Sequence, residues 1–370
     1  MIIVERRTAT SLSERAQSHG DGGLCLQWPP EHYKVRATSI AAFFTAALTI
    51  ARSHCLCARG CRRWGRIAVV TGGNRGIGLE VCRQLAGNDG ITTVVLTARD
   101  EARGVAAVEK LRALGLSNVV FHQLDITDVP SVTRLADFLK TRFGKLDILV
   151  KNAGIVGLEY LQDHIDGTPT TNEEKFVGMG MDQRLDLLLK WCLRATSDAG
   201  KVCLRTNYHG TKRVIGALLP LLLASDDGRV VNVSSEFGQL RHFGNAELAR
   251  ELDDVETLTE ERLDEVVSTF VADLDSGAAP ESRGWPAGAF SAYMVSKAAL
   301  NAYSRVLARL HPAALRVNCV HPGFVRTDMT VNLGLVSPEE GAGRVAAVAL
   351  LPAGGPTGAY FQDRRQAPFL

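Results

Sequence analysis

"TGGNRGIG", residues 71–78, follows the apolar run Ile67–Val70 with no polar break. A strand without polar alternation is buried on both faces, and that belongs to a parallel sheet covered by helices. Ile77, Val81 and Leu85 then recur at i, i+4 and i+8, one face of a helix. The glycines therefore occupy a strand-to-helix turn. Backbone lacking Cβ atoms can approach a pyrophosphate there, and the helix N-terminus offers it unpaired N–H donors. Any such turn can carry glycines; placement at the start of a β-α-β unit is what gives this one its weight. Gly72, Asn74, Arg75, Gly76, Ile77 and Gly78 are the candidate phosphate-loop residues.

The alternation continues outward from this loop. Thr92–Thr97 form a second β-branched run, followed by a helix carrying Val105, Val108 and Leu111. Residues 118–124 form a third strand, and Pro130 sits in the first turn of a helix lined by Val132, Leu135, Leu139 and Phe143. Residues 146–154, 229–235 and 315–321 supply further strands. Right-handed crossovers between them give an α/β fold, a doubly wound parallel sheet of the Rossmann type with helical insertions. Residues 64–370 read as one domain.

Residues 1–63 read as an extension. They hold nine of the 42 Lys and Arg and four of the 40 Asp and Glu, so the remainder carries 33 basic against 36 acidic side chains. The folded part has no basic excess to recruit nucleic acid. The apolar run at 40–50 is too short to span a bilayer as a helix, so no membrane association is expected. The extension is basic and contains serines, which suits organelle targeting, but its acids Glu5 and Glu14 come early, and a cytoplasmic protein is the preferred reading. Eight irregularly spaced cysteines in a long chain fit reduced thiols. Cys55, Cys57 and Cys61 lack a second matching pair, so no metal site is expected.

The second strand ends Thr97-Ala98-Arg99, with Asp100 one residue beyond. An acid at that strand end would bond a ribose 2′-hydroxyl, whereas a guanidinium holds a 2′-phosphate bidentately. With Arg75 in the first loop able to reach the same group, the pattern favours NADP(H) over NAD.

Several ordered motifs resemble the short-chain dehydrogenase/reductase family over essentially residues 66–362. "TGGNRGIG" is similar to its T-G-x-x-x-G-x-G loop. Asp125, followed by Ile126, matches the aspartate that contacts adenine. "KNAG", residues 151–154, resembles N-N-A-G, with Asn152, Ala153 and Gly154 retained and Lys151 in place of the first asparagine. Asn207, Ser235, Tyr293 and Lys297 match the catalytic tetrad. Of the two serines ending the fifth strand, the S-x-x-G pattern with Gly238 selects Ser235 over Ser234. "HPGFVRTDM", residues 321–329, matches the segment against the nicotinamide, with Pro322, Gly323 and Val325 in it and Thr327 implied to bond the carboxamide. "TARD", "GWP" and the proline-glycine segment are most similar to the carbonyl reductase branch. The segment after "NAG" resembles plant members acting on monoterpenoid or alkaloid ketones.

Tyr293 and Lys297 are four apart, so on a helix they share a face about 6 Å apart. A phenol has a reference pKa of about 10, and a nearby ammonium is expected to lower it. Tyr293 is then the proton donor to a carbonyl oxygen as hydride reaches carbon. The resemblance implies that Ser235 holds that oxygen, Lys297 the nicotinamide ribose, and Asn207 a water leading to solvent. The expected activity is NADPH-dependent reduction of a small ketone or aldehyde. An NAD-dependent alcohol dehydrogenase and a catalytically silent NADP-binding protein stay open as alternatives.

Asn152 to Asn207 spans 55 residues and Ser235 to Tyr293 spans 58, both longer than in compact members of the family. In the second gap Thr259 is placed to cap a helix with Glu260 and Glu261 in its first turn and an apolar stripe of Leu263, Val266, Val267 and Phe270. In the first, residues 181–194 form an amphipathic helix with Leu185, Leu188, Leu189 and Cys192 on one side. Many members of the family dimerise through the helices after the fourth and fifth strands. The stripe of 181–194 is expected to cover that face, giving a monomer.

Overall fold

The computed structural model describes residues 65–161 and 178–369. The basic N-terminal stretch, with its cysteine cluster, lies outside the described residues.

Strand β1 (Arg66–Val70) leads into helix α1 (Gly76–Ala86), and β2 (Ile91–Ala98) into α2 (Glu101–Ala113). β3 (Val119–Gln123), α3 (Val129–Arg142) and β4 (Ile148–Lys151) follow. The first insertion holds a short hairpin of β5 (Glu159–Tyr160) and β6 (Leu193–Arg194), with α4 (Met181–Leu187) and a π-turn (Leu188–Cys192) between them. Then come α5 (Ser197–Leu204), a second π-turn (Arg205–Gly210), α6 (Thr211–Leu223) and β7 (Gly228–Val233). The second insertion carries α7 (Ala246–Asp253) and α8 (Glu260–Asp275), before α9 (Ser291–Leu310), β8 (Leu315–His321), α10 (Pro338–Ala349), β9 (Tyr360–Gln362) and β10 (Arg365–Ala367).

The main sheet runs β3-β2-β1-β4-β7-β8-β9-β10, parallel throughout except for the antiparallel edge strand β10. Along β1 the side chains alternate between two cores. Ile67 and Val69 join α3, α6 and α9 on one face, and Ala68 and Val70 join α1, α2 and α10 on the other. All four are fully buried, as a doubly wound sheet requires. The strand order reverses between β1 and β4, where the following helices leave to opposite faces. That divergence opens the crevice at the carboxyl ends of the strands.

The cap expected at Thr259 is in place, and α3 has one that was not read from the sequence. Asp128 accepts from Ser131 N at 3.0 Å ahead of Pro130, and Thr259 accepts from Arg262 N at 3.1 Å at the start of α8. The stripe Leu263, Val266, Val267 and Phe270 is buried, packed against α5 and α9. On α2 the buried face is Gly104, Ala107, Val108 and Leu111, whereas Val105, expected in the core, is 45% exposed. Gly104 replaces it because a Cβ there would lie 2.0 Å from the Phe121 ring, so the helix sits on β3 through its glycine.

Candidate active site

The crevice begins with a clasp between β1 and β4. Thr71 Oγ1 accepts from the backbone N–H of both Asn152 and Ala153, each at 3.0 Å. Asn152 Nδ2 returns two bonds, to the carbonyls of Thr71 and Gly72 at 3.0 and 3.1 Å. The glycine loop is thereby pulled against the "KNAG" turn. Gly72 adopts φ +65°, and a Cβ on Gly78 would stand 2.2 Å from the Gly72 carbonyl oxygen, so only glycine closes this turn. Arg75 provides no side-chain cap to α1, which leaves the first-turn N–H donors of the helix for an anion. This cradle fits a nucleotide pyrophosphate.

Arg99 is exposed at the end of β2, and its guanidinium makes no hydrogen bond or ion pair with the described residues. Arg75, by contrast, pairs with Asp328 at 2.5 Å across the mouth of the crevice. Asp125 Oδ1 accepts from both the N–H and the hydroxyl of Thr127, at 2.8 and 2.7 Å, which shapes its own loop. Ile126 is buried against the core, and its carbonyl accepts from Arg213.

Farther along, a cleft of about 930 Å³, open to solvent, is lined by Ile77, Asn152, Gly154, Ser235, Tyr293, Lys297, Pro322, Gly323, Val325 and Thr327. Sequence reading places all ten there. Gly238 explains how the serine turn meets the tyrosine helix. A Cβ on it would lie 2.8 Å from Asn301 Nδ2 and 2.9 Å from the Lys297 backbone, so the turn after Ser235 seats directly on α9. Ser234 is buried and donates to Asn301 Oδ1 at 2.6 Å; it braces the strand while Ser235 faces the cleft. Ser235 Oγ accepts from Phe237 N at 3.2 Å, which leaves its hydroxyl proton to donate to the Tyr293 phenol.

Lys297 is buried and donates to the Val233 carbonyl at 2.8 Å. Its Nζ lies 5.4 Å from the centre of the Tyr293 ring. Burial pulls the ammonium down to about 8. Burial likewise pushes the Tyr293 phenol up, with the Ser235 hydroxyl opposing through a hydrogen bond. The phenol is thus held above its ordinary range by burial, opposite to the lowering expected from Lys297. A phenol kept neutral is the form a proton donor needs.

Asn207 lies on the π-turn between α5 and α6, which rotates it inward. Its Oδ1 accepts from Ile155 N at 2.9 Å, and its Nδ2 donates to Ile155 O at 2.9 Å and to Ser296 Oγ at 3.0 Å. The side chain is thus fully engaged as a strut between the loop after Gly154 and α9. Lys151 is also buried, with no hydrogen-bond partner for its Nζ among the described residues, and burial drags its amine down to about 7.

Residues 181–194 do not cover the faces of α6 and α9. They lie over the cleft, where Met181, Leu185 and Leu188 line its wall, and Leu185 and Leu188 pack with Val156, Phe290 and Leu333. Arg184 ties this cover down by donating to the Leu333 carbonyl at 3.1 Å. The apolar stripe finds the open cleft mouth, already rimmed by Phe324 and Met329, and α8 takes the position expected for it on α9. Sequence reading missed this wall and the neighbouring Glu236, Phe237 and Phe290; the only signal was the i, i+3, i+4 leucine spacing, which says that a face is buried but not against what.

The short chain dehydrogenase family profile matches residues 66–175, and a profile described as enoyl-(acyl carrier protein) reductase matches residues 278–348. A (+)-neomenthol dehydrogenase from Arabidopsis thaliana is 46% identical over 82% of this chain and 98% of its own length. The chain belongs to the short-chain dehydrogenase/reductase family. Carbonyl reductase [NADPH] 1 from Mus musculus is 39% identical over 82% of this chain and 98% of its own. The structure of salutaridine reductase from Papaver somniferum superposes with a TM-score of 0.72 at 44% identity, covering 80% of this chain and 99% of that one. Such family members share the mostly parallel sheet with flanking helices seen here. Among the described residues no helix is long and apolar enough to cross a membrane, and no group of three or more His, Cys, Asp or Glu is placed to hold a metal ion.

Proposed function

We propose that this protein reduces a ketone or aldehyde to an alcohol at the expense of NADPH. The observation that carries the reading is that Ser235, Tyr293 and Lys297 line one cleft together with Ile77 of the glycine loop and Asn152 that clasps it. The relatedness to proteins named as reductases and dehydrogenases of carbonyl and alcohol compounds supports it.

Bound NADPH supplies the hydride. Tyr293 Oη passes its proton to the carbonyl oxygen, and Ser235, its own oxygen occupied by Phe237 N–H, donates to that oxygen and fixes its place. Lys297, with one N–H on Val233 O, keeps two donors for the ribose hydroxyls and stabilises the phenolate left behind. Asn207 positions rather than reacts: it fixes α9 through Ser296, next to Lys297. Asn74, Arg75 and Arg99 hold the phosphate end, with the two guanidiniums on the 2′-phosphate. Met181, Leu185, Leu188 and Phe290 make the substrate wall apolar, which suits a carbonyl on a hydrocarbon skeleton.

We also take the protein to be a monomer, for a different reason than the one read from the sequence. α8 packs on α5 and α9, and Tyr208 and Lys212 anchor it through Asp264 at 2.9 and 2.7 Å. The test of the activity is NADPH oxidation by the purified chain against cyclic terpenoid ketones, quinones and aldehydes, with the alcohol identified as product. No oxidation with any carbonyl class would overturn it.

A further inference from the structure

A second cavity, of about 720 Å³ and open to solvent, lies between α6 and the end of α9 and shares none of its described lining residues with the catalytic cleft. Leu219 on α6 and Leu307 and Leu310 on α9 give it an apolar wall, and Leu310 is left 53% exposed. Gly216, about one turn before Leu219, supplies room, because a Cβ there would meet nothing within 4 Å. Glycine destabilises a helix interior relative to alanine, and here no neighbour requires it. The gap is what the glycine provides.

The polar groups of this cavity are not all matched. Lys212 is engaged twice, by Asp264 at 2.7 Å and by Glu260 at 3.4 Å, and Glu260 is the one carboxylate among the described lining residues. Arg213 gives one N–H to the Ile126 carbonyl at 3.1 Å and forms no ion pair with the described residues. Tyr303 is only 3% exposed, yet its hydroxyl makes no hydrogen bond with them either. A buried hydroxyl without a partner is unfavourable until a ligand or water supplies one. A guanidinium without an acid, that hydroxyl and an apolar wall are together complementary to a carboxylate at the end of a hydrocarbon chain. His209 and His311, also in the lining, can add ring N–H donors.

We propose that this cavity is a second ligand site, which takes a single-chain fatty carboxylate. The carboxylate lies on Arg213 and the Tyr303 hydroxyl, and the chain lies along Leu219, Leu307 and Leu310 in the space beside Gly216. The site stands apart from the reductase reading, but its walls do not stand apart from the tetrad. His209 shares the π-turn Arg205–Gly210 with Asn207, and Tyr303 shares α9 with Tyr293 and Lys297.

The test is calorimetric titration of decanoate into the full chain in the presence of NADPH, with decanol as the uncharged chain of the same length. One decanoate per chain is expected, with decanol about 10- to 100-fold weaker because it lacks the charge-assisted contact. Arg213→Gln should weaken decanoate by the same factor, about 10- to 100-fold, and Gly216→Leu, which fills the gap, should abolish saturable binding. No saturable uptake of decanoate, or equal affinity for decanol, overturns the proposal on the unmutated protein alone. Decanoate affinity that survives both substitutions places the ligand elsewhere and overturns it as well. A two-chain mass by light scattering that falls to one chain in Gly216→Leu would give the cavity to a second copy of the chain, again overturning it. All these outcomes leave the reductase reading standing.

Discussion

The Arg75 guanidinium and the Asp328 carboxylate meet at 2.5 Å, and both side chains are 63% exposed. An ion pair so open to water is worth at most about 1 kcal/mol. It holds the glycine loop against the proline-glycine segment at little cost, and a 2′-phosphate can claim the guanidinium in exchange. Asp328→Asn should therefore tighten NADPH binding by about 2- to 5-fold and leave NADH binding nearly unmoved, as read by quenching of protein fluorescence. Equal tightening of both cofactors would show that Arg75 does not meet the 2′-phosphate.

Arg99, unlike Arg75, surrenders no partner when a phosphate arrives. Arg99→Asp should cut the NADPH over NADH preference in kcat/KM by about 10- to 100-fold. An unmutated protein that uses the two cofactors equally well would refute the assignment of both arginines.

Lys151 replaces an asparagine of the family motif with a buried, unpartnered amine. Burial takes its pKa from 10.5 to about 7, so between those values the unfolded chain binds the proton that the folded chain has given up. Stability then rises with pH through this window, and the penalty is complete below pH 7. Lys151→Asn should stabilise the protein by about 1–3 kcal/mol at pH 6 and by much less at pH 10, measured by thermal unfolding at both values. The same gain at both would mean that packing, not the charge, is at issue.

Light scattering of the full chain at micromolar concentration should return the mass of one chain. The reason is the burial of the α8 stripe on α5 and α9. A mass near twice the chain would show that this helix builds an interface instead.

What was legible in the sequence is what depends on neighbours in the chain. Ile67–Val70 followed by "TGGNRGIG" declares a strand, a turn and the start of a helix, and Tyr293 and Lys297 declare a helix face by their spacing. Less legible was anything decided by distant packing. The leucines of 181–194 announce burial but not that the cleft receives them. Val105 fits the apolar period of α2, yet Gly104 is the residue that the Phe121 ring admits. β9 and β10 are three residues each, too short for a periodicity to show. The Tyr293 phenol illustrates the same limit in electrostatics: the sequence displays the lysine beside it but not the burial that raises the phenol.

The account turns on Tyr293 as the proton donor, and one measurement reaches it most directly: steady-state NADPH oxidation by Tyr293→Phe, on a ketone that the unmutated protein reduces, alongside NADPH affinity. Only the hydroxyl is removed, so turnover should fall by about 10²- to 10⁴-fold while the dissociation constant for NADPH stays within about 3-fold. A Tyr293→Phe protein that keeps most of its turnover would contradict the account.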